Sequence, residues 1–268
     1  MFGKVLIYTN PTRDSDGAIT ARVEGYLKKN GVMTVTYSDG SEFAQDCTVI
    51  VAIGGDGTIL RAASISGGRP VLGINAGSIG FMTAFDADEC ESRLGEVLEG
   101  RYNVSEHMLL DVEVLRGGRR IIGATVLNDA VVTGRHVAKT VTLDFLNDGS
   151  YMARVRGDGL IAATPTGSTA YSMSAGGPVV DPALEAIILT PVCAHNVSAP
   201  SFVLASSSVA CIRCISEEGL LITDGIQRFE LCAGDEVVVR KSDKSCRLVR
   251  LQKYSFYDII NKKLFDGR

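Results

Sequence analysis

Short runs of β-branched and aliphatic residues alternate with stretches whose apolar positions fall three and four apart through the first hundred residues. The runs "KVLIYTN" (4–10), "MTVTY" (33–37), "TVIVAI" (48–53) and "PVLGI" (70–74) are nearly free of charge, as expected of buried strands. Helical patterns separate them, from about Asp16 to Lys29, from Thr58 onward, and across "ADECESRLGEVLEG" (87–100). This alternation predicts an α/β domain built on a parallel, doubly wound sheet, where ligands bind beyond the carboxyl ends of the strands. The "GGDG" turn (54–57) after one strand and "NAGSIGF" (75–81) after the next are therefore expected to share a crevice.

From about residue 104 the pattern becomes a succession of strands: "LLDVEVL" (109–115), "RRIIGATVLNDAVVTG" (119–134), "VTLDFL" (141–146), "YMARVR" (151–156), "SFVLASSSVACIRCI" (201–215), "GLLITDG" (219–225) and "DEVVVRKS" (235–242). At this density, with Gly, Asn and Asp turns between them, they predict an all-β, sandwich-like domain. The tail "SFYDIINKKLF" (255–265) has helical spacing, with apolar residues at 256, 259, 260 and 264. The expected division is residues 1–103 for the α/β domain, joined by a returning helix within 253–268, and 104–252 for the β-rich domain.

Composition changes this picture little. Of the 268 residues 46% are apolar and 22% charged, the net charge is −4, and the basic residues are scattered, so neither nucleic acid nor a membrane surface is an expected partner. No apolar run reaches the ~20 residues of a membrane span, and "MFGKVLIYTN" turns polar too soon for a signal peptide, so the expectation is a cytoplasmic protein. Seven cysteines, odd in number and mostly within apolar strand-like segments, are expected as reduced, buried thiols. "CIRC" (211–214) has the spacing of half a zinc site, but there is no second pair and residues three apart on a strand face opposite ways, so no metal site is expected there.

Glycines at 54, 55 and 57 suit a turn that opens a helix and directs backbone N–H groups at an anion. Asp56 would repel a phosphate there unless it holds a metal ion that the phosphates share, or takes the proton of a hydroxyl about to attack phosphorus. The other use of such an aspartate is to cap the helix. Nine of the fifteen residues from Thr164 to Pro178 are Ser, Thr or Gly, with Tyr171 among them, a composition suited to ring nitrogens and ribose oxygens, or to a solvated loop. "LNDAVV" (127–132) places Asn128 and Asp129 at a break between apolar segments, as a turn or as contacts to a base edge and a ribose diol.

Taken together, "GGDGT" (54–58), "NAGSIGF" (75–81), "LND" (127–129), "DGLIAATPTGSTAYSMSAGGPVVDP" (158–182), "LTPVCAH" (189–195), "DG" (224–225) and "FYDIINKKL" (256–264) resemble the signature series of NAD kinases. The resemblance implies NAD bound between an α/β and a β-rich domain, and phosphorylation of its adenosine ribose 2′-hydroxyl to give NADP. ATP is the implied donor, with polyphosphate as an alternative, a divalent metal such as Mg²⁺ as cofactor, and a homodimer or homotetramer as the assembly. It assigns Asp56 as base or metal-organising carboxylate, Gly55 and Gly57 as the phosphate turn, and Phe81 to the adenosine side. Asn128 and Asp129 would hold NAD's hydroxyls and adenine, Asp158 the nicotinamide end, and Thr169, Ala170, Tyr171 and Ser174 would line the dinucleotide pocket. Thr58 and Arg156 join as neighbours of these motifs, and His195 as a residue that could approach the nicotinamide. Asp129 stands where the family often has Glu, and Ala76 and Ser78 where a Thr and a larger polar residue are frequent, differences that bear on donor and substrate preference. A lipid or sugar kinase sharing the glycine turn, and a nucleotide-binding regulator without catalysis, are the competing readings.

Overall fold

The computed structural model describes residues 3–37, 46–77, 80–136, 139–195, 199–251 and 255–265. The elements run β1 (Lys4–Thr9), α1 (Ala18–Lys29), β2 (Met33–Thr36), β3 (Val49–Gly54), α2 (Asp56–Ser64), β4 (Val71–Asn75), β5 (Phe85–Asp86), α3 (Cys90–Leu98), β6 (Asn103–Arg116), β7 (Arg119–Val126), β8 (Asp129–Gly134), β9 (Val141–Asn147), β10 (Ser150–Gly157) and β11 (Gly159–Ala163). A 3-10 turn (Thr166–Thr169) leads into α4 (Tyr171–Ser174), and then come β12 (Ala186–Val192), β13 (Phe202–Ala205), β14 (Ala210–Cys214), β15 (Glu218–Thr223), β16 (Gln227–Cys232), β17 (Glu236–Arg250), α5 (Phe256–Ile260) and a π-helical turn (Asn261–Phe265). The chain forms two compact units, Met1–Glu106 with Cys246–Arg268, and His107–Ser245.

In the first unit β2, β1, β3 and β4 are parallel neighbours in that order. All six residues of β3 and all five of β4 are buried, because helices cover both faces of a parallel sheet. Val23 and Leu27 of α1 and Leu94 and Val97 of α3 pack in one cluster with Val5, Ile7, Val51, Ile53, Leu72 and Ile74, while Ile59 of α2 lies against Gly73. The outer edge of β4 is shared by Phe85–Asp86 at one end and Leu248 at the other. Gly54 and Asn75 are register partners, so the loops that follow β3 and β4 leave the sheet side by side. The C-terminal helix belongs to this unit: Ser255 and Asp258 cap α5 reciprocally, and the Phe256 ring lies 6.3 Å from that of Phe81.

The second unit is a sandwich of mainly antiparallel strands. One sheet has the order β10–β9–β14–β17, with the β6–β7 hairpin joined through β6 to β17, and the other the order β13–β12–β11–β8–β15–β16. Phe145, Leu143, Ile212, Val237 and Val239 from the first sheet meet Leu160, Ala162, Ile187 and Leu189 from the second in a common core. Strands β11 and β12 are buried throughout because their other face is covered too: Val131, Ile161, Ala163 and Ile188 form a further cluster with Ala175 and Val180 packed on it.

Several details depart from the sequence pattern. Helix α2 begins at Asp56, two residues before the periodicity starts: Gly55 is its N-cap in extended conformation, and the first two helical residues, Asp56 and Gly57, give the apolar pattern nothing to register. "SFVLASSSVACIRCI" is two strands divided by a turn closed from Ser208 N–H to the Ala205 carbonyl at 3.0 Å. Cys47, Cys90, Cys214 and Cys246 are buried as expected, but Cys193 and Cys232 are exposed: Cys232 lies on the solvent side of edge strand β16, and Cys193 in a left-handed turn (φ 46°) after β12. Cys211 and Cys214 differ in burial, as opposite-facing strand residues do, and among the described residues no group of three or more His, Cys, Asp or Glu is placed to hold a metal ion. No helix among them is long and apolar enough to cross a membrane.

Candidate functional site

The glycine turn of the first unit is built around Asp56. Its carboxylate does not cap α2 but reaches across to the neighbouring loop, where Oδ2 accepts from Phe81 N–H and Oδ1 from Met82 N–H, each at 2.9 Å. A Cβ at residue 80 would overlap Oδ1, so only glycine lets the loop approach this closely. Gly55 and Gly57 have no neighbour within 4 Å of where a side chain would stand, so the side of the turn at the start of α2 is uncrowded, and a helix start carries the positive end of the helix dipole. Thr58 is turned inward: it is buried, and its Oγ1 accepts from Asn10 Nδ2 at 3.4 Å. Two cations lie by Asp56. Lys263 of the π-helical turn is 3.9 Å from Oδ2 and 4.3 Å above the Phe81 ring, and the guanidinium of Arg250, whose pKa burial lowers and the Asp56 charge supports, bonds the Thr83 carbonyl at 3.3 Å.

In the second unit the break at 127–129 is organised by a residue far along the chain. The Asp224 carboxylate accepts three successive N–H groups, from Leu127 at 2.9 Å, Asn128 at 2.7 Å and Asp129 at 3.1 Å. Asp224 itself has φ 50°, a left-handed conformation that Asp tolerates better than most residues. Asp129 is buried, and burial together with the Asp224 charge pushes its pKa up to about 7. Asp224 is also raised by burial, against the pull of its three N–H donors. The amide oxygen of Asn128 is buried and, among the described residues, has no hydrogen-bond partner.

The Ser/Thr/Gly stretch wraps this break instead of forming a solvated loop. Thr164 Oγ1 donates to the Leu127 carbonyl at 2.6 Å, Thr164 N–H to that of Asn128 at 2.9 Å, and Gly167 passes so close to the Asn128 carbonyl that no side chain would fit. Its hydroxyls are largely used internally: Ser168 bonds the Pro165 carbonyl at 2.6 Å, Ser172 pairs with Thr190 at 2.8 Å, and buried Thr169 bonds the Thr166 carbonyl at 3.3 Å. Ala170 is half-buried, while Tyr171 and Ser174 face outward. Tyr171 belongs with Asp129, Asp158 and Cys193, whose charges join burial in raising its phenol pKa; the Cys193 thiol is itself raised by its hydrogen bond to Asp158.

Asp158, Arg156 and His195 are exposed. Arg156 Nε reaches Thr140 Oγ1 at 3.3 Å, and the Arg156 carbonyl accepts from His195 N–H at 2.8 Å. The candidates thus fall into two groups, Gly55–Thr58 with Phe81, and Asn128–Asp129 with Asp158 and Tyr171. Sequence reasoning about roles missed Asp224, Lys263 and Arg250. Only the "DG" turn at 224–225 pointed to the first, and a lysine on a tail helix carries no sign of what it will touch.

Residues 5–102 match the ATP-NAD kinase N-terminal domain and residues 127–251 the ATP-NAD kinase C-terminal domain. The chain is 42% identical to the NAD kinase of Symbiobacterium thermophilum over 81% of this chain and 78% of that protein. It is 37% identical to the NAD kinase of Acetivibrio thermocellus over 98% and 97%. The crystal structure of yeast NADH kinase complexed with NADH superposes with a TM-score of 0.88 at 26% identity, covering 100% of this chain and 89% of that one. That of an NAD kinase from Archaeoglobus fulgidus in complex with ATP gives 0.83 at 28% identity, over 97% and 98%. With both domains matched in order and relatives aligned over most of its length, the chain belongs to the NAD kinase family.

Proposed function

We propose that this protein transfers the γ-phosphoryl group of ATP to the adenosine ribose 2′-hydroxyl of NAD, giving NADP and ADP. The observation that carries the reading is the Asp56 carboxylate, held by two backbone N–H groups beside an uncrowded glycine turn at the start of a helix. The N–H groups at Gly55 and Gly57 take donor phosphate oxygens, and Asp56 takes the proton of the attacking hydroxyl or helps to hold the metal. A divalent metal fits here: Asp56 is a hard oxygen donor with lone pairs to spare, and Mg²⁺ is typically held by one or two carboxylates plus phosphates, where it would neutralise phosphate charge. Phe81 flanks the adenosine. Asn128 and Asp129 hold NAD's hydroxyls and adenine, Tyr171 stacks on the dinucleotide with Thr169, Ala170 and Ser174 beside it, and Asp158 and His195 take the nicotinamide end, next to Arg156.

The unpartnered Asn128 oxygen supports a ligand at this break, because a buried acceptor left without a donor is costly. Seven free cysteines support a reducing, cytoplasmic setting, and the family reading extends to a homodimer or homotetramer. The test is turnover of NAD with ATP and Mg²⁺, read by an NADP-specific dehydrogenase. NADP formation that Asp56→Asn abolishes supports the reading; turnover of diacylglycerol or a sugar phosphate in place of NAD, or NAD binding without turnover, overturns it.

A further inference from the structure

The π-helical turn Asn261–Phe265 is inside out. Leu264 is 41% exposed and Phe265 73%, whereas Lys263 is turned inward with 26% of its side chain exposed. Hydrophobic burial would choose the reverse. The inward lysine stands between the Asp56 carboxylate, 3.9 Å away, and the face of the Phe81 ring, 4.3 Å away. An ion pair this exposed and this long adds little to stability, so the inward ammonium rests on the face of Phe81 and brings its charge to Asp56. The Ser255–Asp258 capping box fixes the start of α5, Phe256 packs near Phe81, and a π-helical turn that carries Lys263 follows.

We propose that Lys263 is the cationic arm of the phosphate site. Its ammonium holds the Asp56 carboxylate in place and receives phosphate oxygens of the donor lodged at the Gly55–Gly57 turn. A polyphosphate chain brought to that turn meets the negative charge of Asp56. Backbone N–H groups and the end of α2 offer only partial positive charges, and Arg250 is committed to the Thr83 carbonyl. Lys263 supplies a full mobile charge, with three donors on a flexible stem, which suits a phosphate chain that shifts during transfer.

The assignment rests on the kinase reading above, and the test keeps the two apart. ATP binding is measured by titration calorimetry without NAD for the wild type, Lys263→Met and Lys263→Arg, alongside melting temperature, NAD affinity and the separate kinetic constants. Lys263→Met is expected to weaken ATP binding and raise KM for ATP about tenfold, with NAD affinity and melting temperature unchanged, and Lys263→Arg to recover most of the loss. Unchanged ATP affinity in Lys263→Met overturns the proposal. So does a parallel loss of ATP binding, NAD binding and melting temperature, which would make Lys263 a docking contact; Lys263→Gln, which keeps some polarity, repeats the measurement if the methionine variant fails to fold. A wild type that binds ATP but makes no NADP would overturn the kinase reading while leaving the calorimetry on Lys263 to stand or fall by itself.

Discussion

Gly80 and Asp56 are shaped to each other: the carboxylate fills the space a Cβ at residue 80 would take, and in doing so reaches the N–H groups of Phe81 and Met82. Gly80→Ala is therefore expected to displace the carboxylate without removing it, lowering kcat on the order of 10²-fold, as misplacement of a reacting group does. Asp56→Asn is expected to lower kcat by about 10² to 10⁴-fold. It also turns an amide NH₂ toward one of the two backbone donors, so its melting temperature falls as well, by the equivalent of about 1 to 3 kcal/mol. Steady-state kinetics and thermal unfolding on both variants check this. Full activity in Gly80→Ala would show that the placement of Asp56 is not part of the chemistry.

Asn128 carries a buried oxygen with no partner among the described residues. Removing it relieves a desolvation cost of about 1 to 3 kcal/mol, so Asn128→Ala is expected to be as stable as the wild type or more so. KM for NAD is expected to rise about tenfold, the equivalent of one hydrogen bond of about 1.4 kcal/mol. Thermal unfolding and kinetics on one preparation separate the two effects, and a marked fall in melting temperature with unchanged KM would make Asn128 a structural residue.

The parallel strands were legible because burial on both faces leaves an uninterrupted apolar run, as along β3 and β4. Strand β16 was not, since "QRFELC" lies at a sheet edge with Leu231 as its one buried position and so shows no alternation. The Ser/Thr/Gly stretch stands out in composition, but Thr164, Ser168 and Ser172 spend their hydroxyls on neighbouring groups of the protein, a distinction that composition does not make. Asp224 could not be joined to Asn128 from the sequence, because a contact spanning 96 residues depends on β8 and β15 pairing in one register.

Asp129 makes stability depend on pH. Its pKa stands at about 7 in the fold, against ~3.9 in an unfolded chain. Between those values the folded protein keeps a proton that the unfolded chain has released. The stabilisation is therefore complete below about pH 4 and is lost as pH rises through about 7, and buried Asp224, also raised, acts in the same sense. Asp144 and Asp235, held below the usual carboxylate range by Arg154 and Arg116, act in the opposite sense and only at lower pH. Unliganded protein is expected to melt higher at pH 5 than at pH 8, and Asp129→Asn to flatten that slope. An unaltered slope in the variant would assign the effect to other groups.

Tyr171 is 47% exposed, which bears on whether its ring serves the fold or a ligand. A fully buried aromatic ring replaced by alanine costs ~3 to 5 kcal/mol, but a half-exposed ring on the short helix Tyr171–Ser174 has much less packing to lose. Tyr171→Ala is therefore expected to keep its melting temperature within a few degrees of the wild type. Its NAD affinity is expected to fall by the ~0.5 to 1.5 kcal/mol of an aromatic contact, plus the apolar area that the dinucleotide no longer covers. Tyr171→Phe keeps the ring face and is expected to bind NAD nearly as well as the wild type. If the phenylalanine variant loses as much affinity as alanine, the phenol oxygen, placed near Asp129, Asp158 and Cys193, makes the contact in place of the ring. If the alanine variant binds NAD normally, Tyr171 lies outside the dinucleotide site.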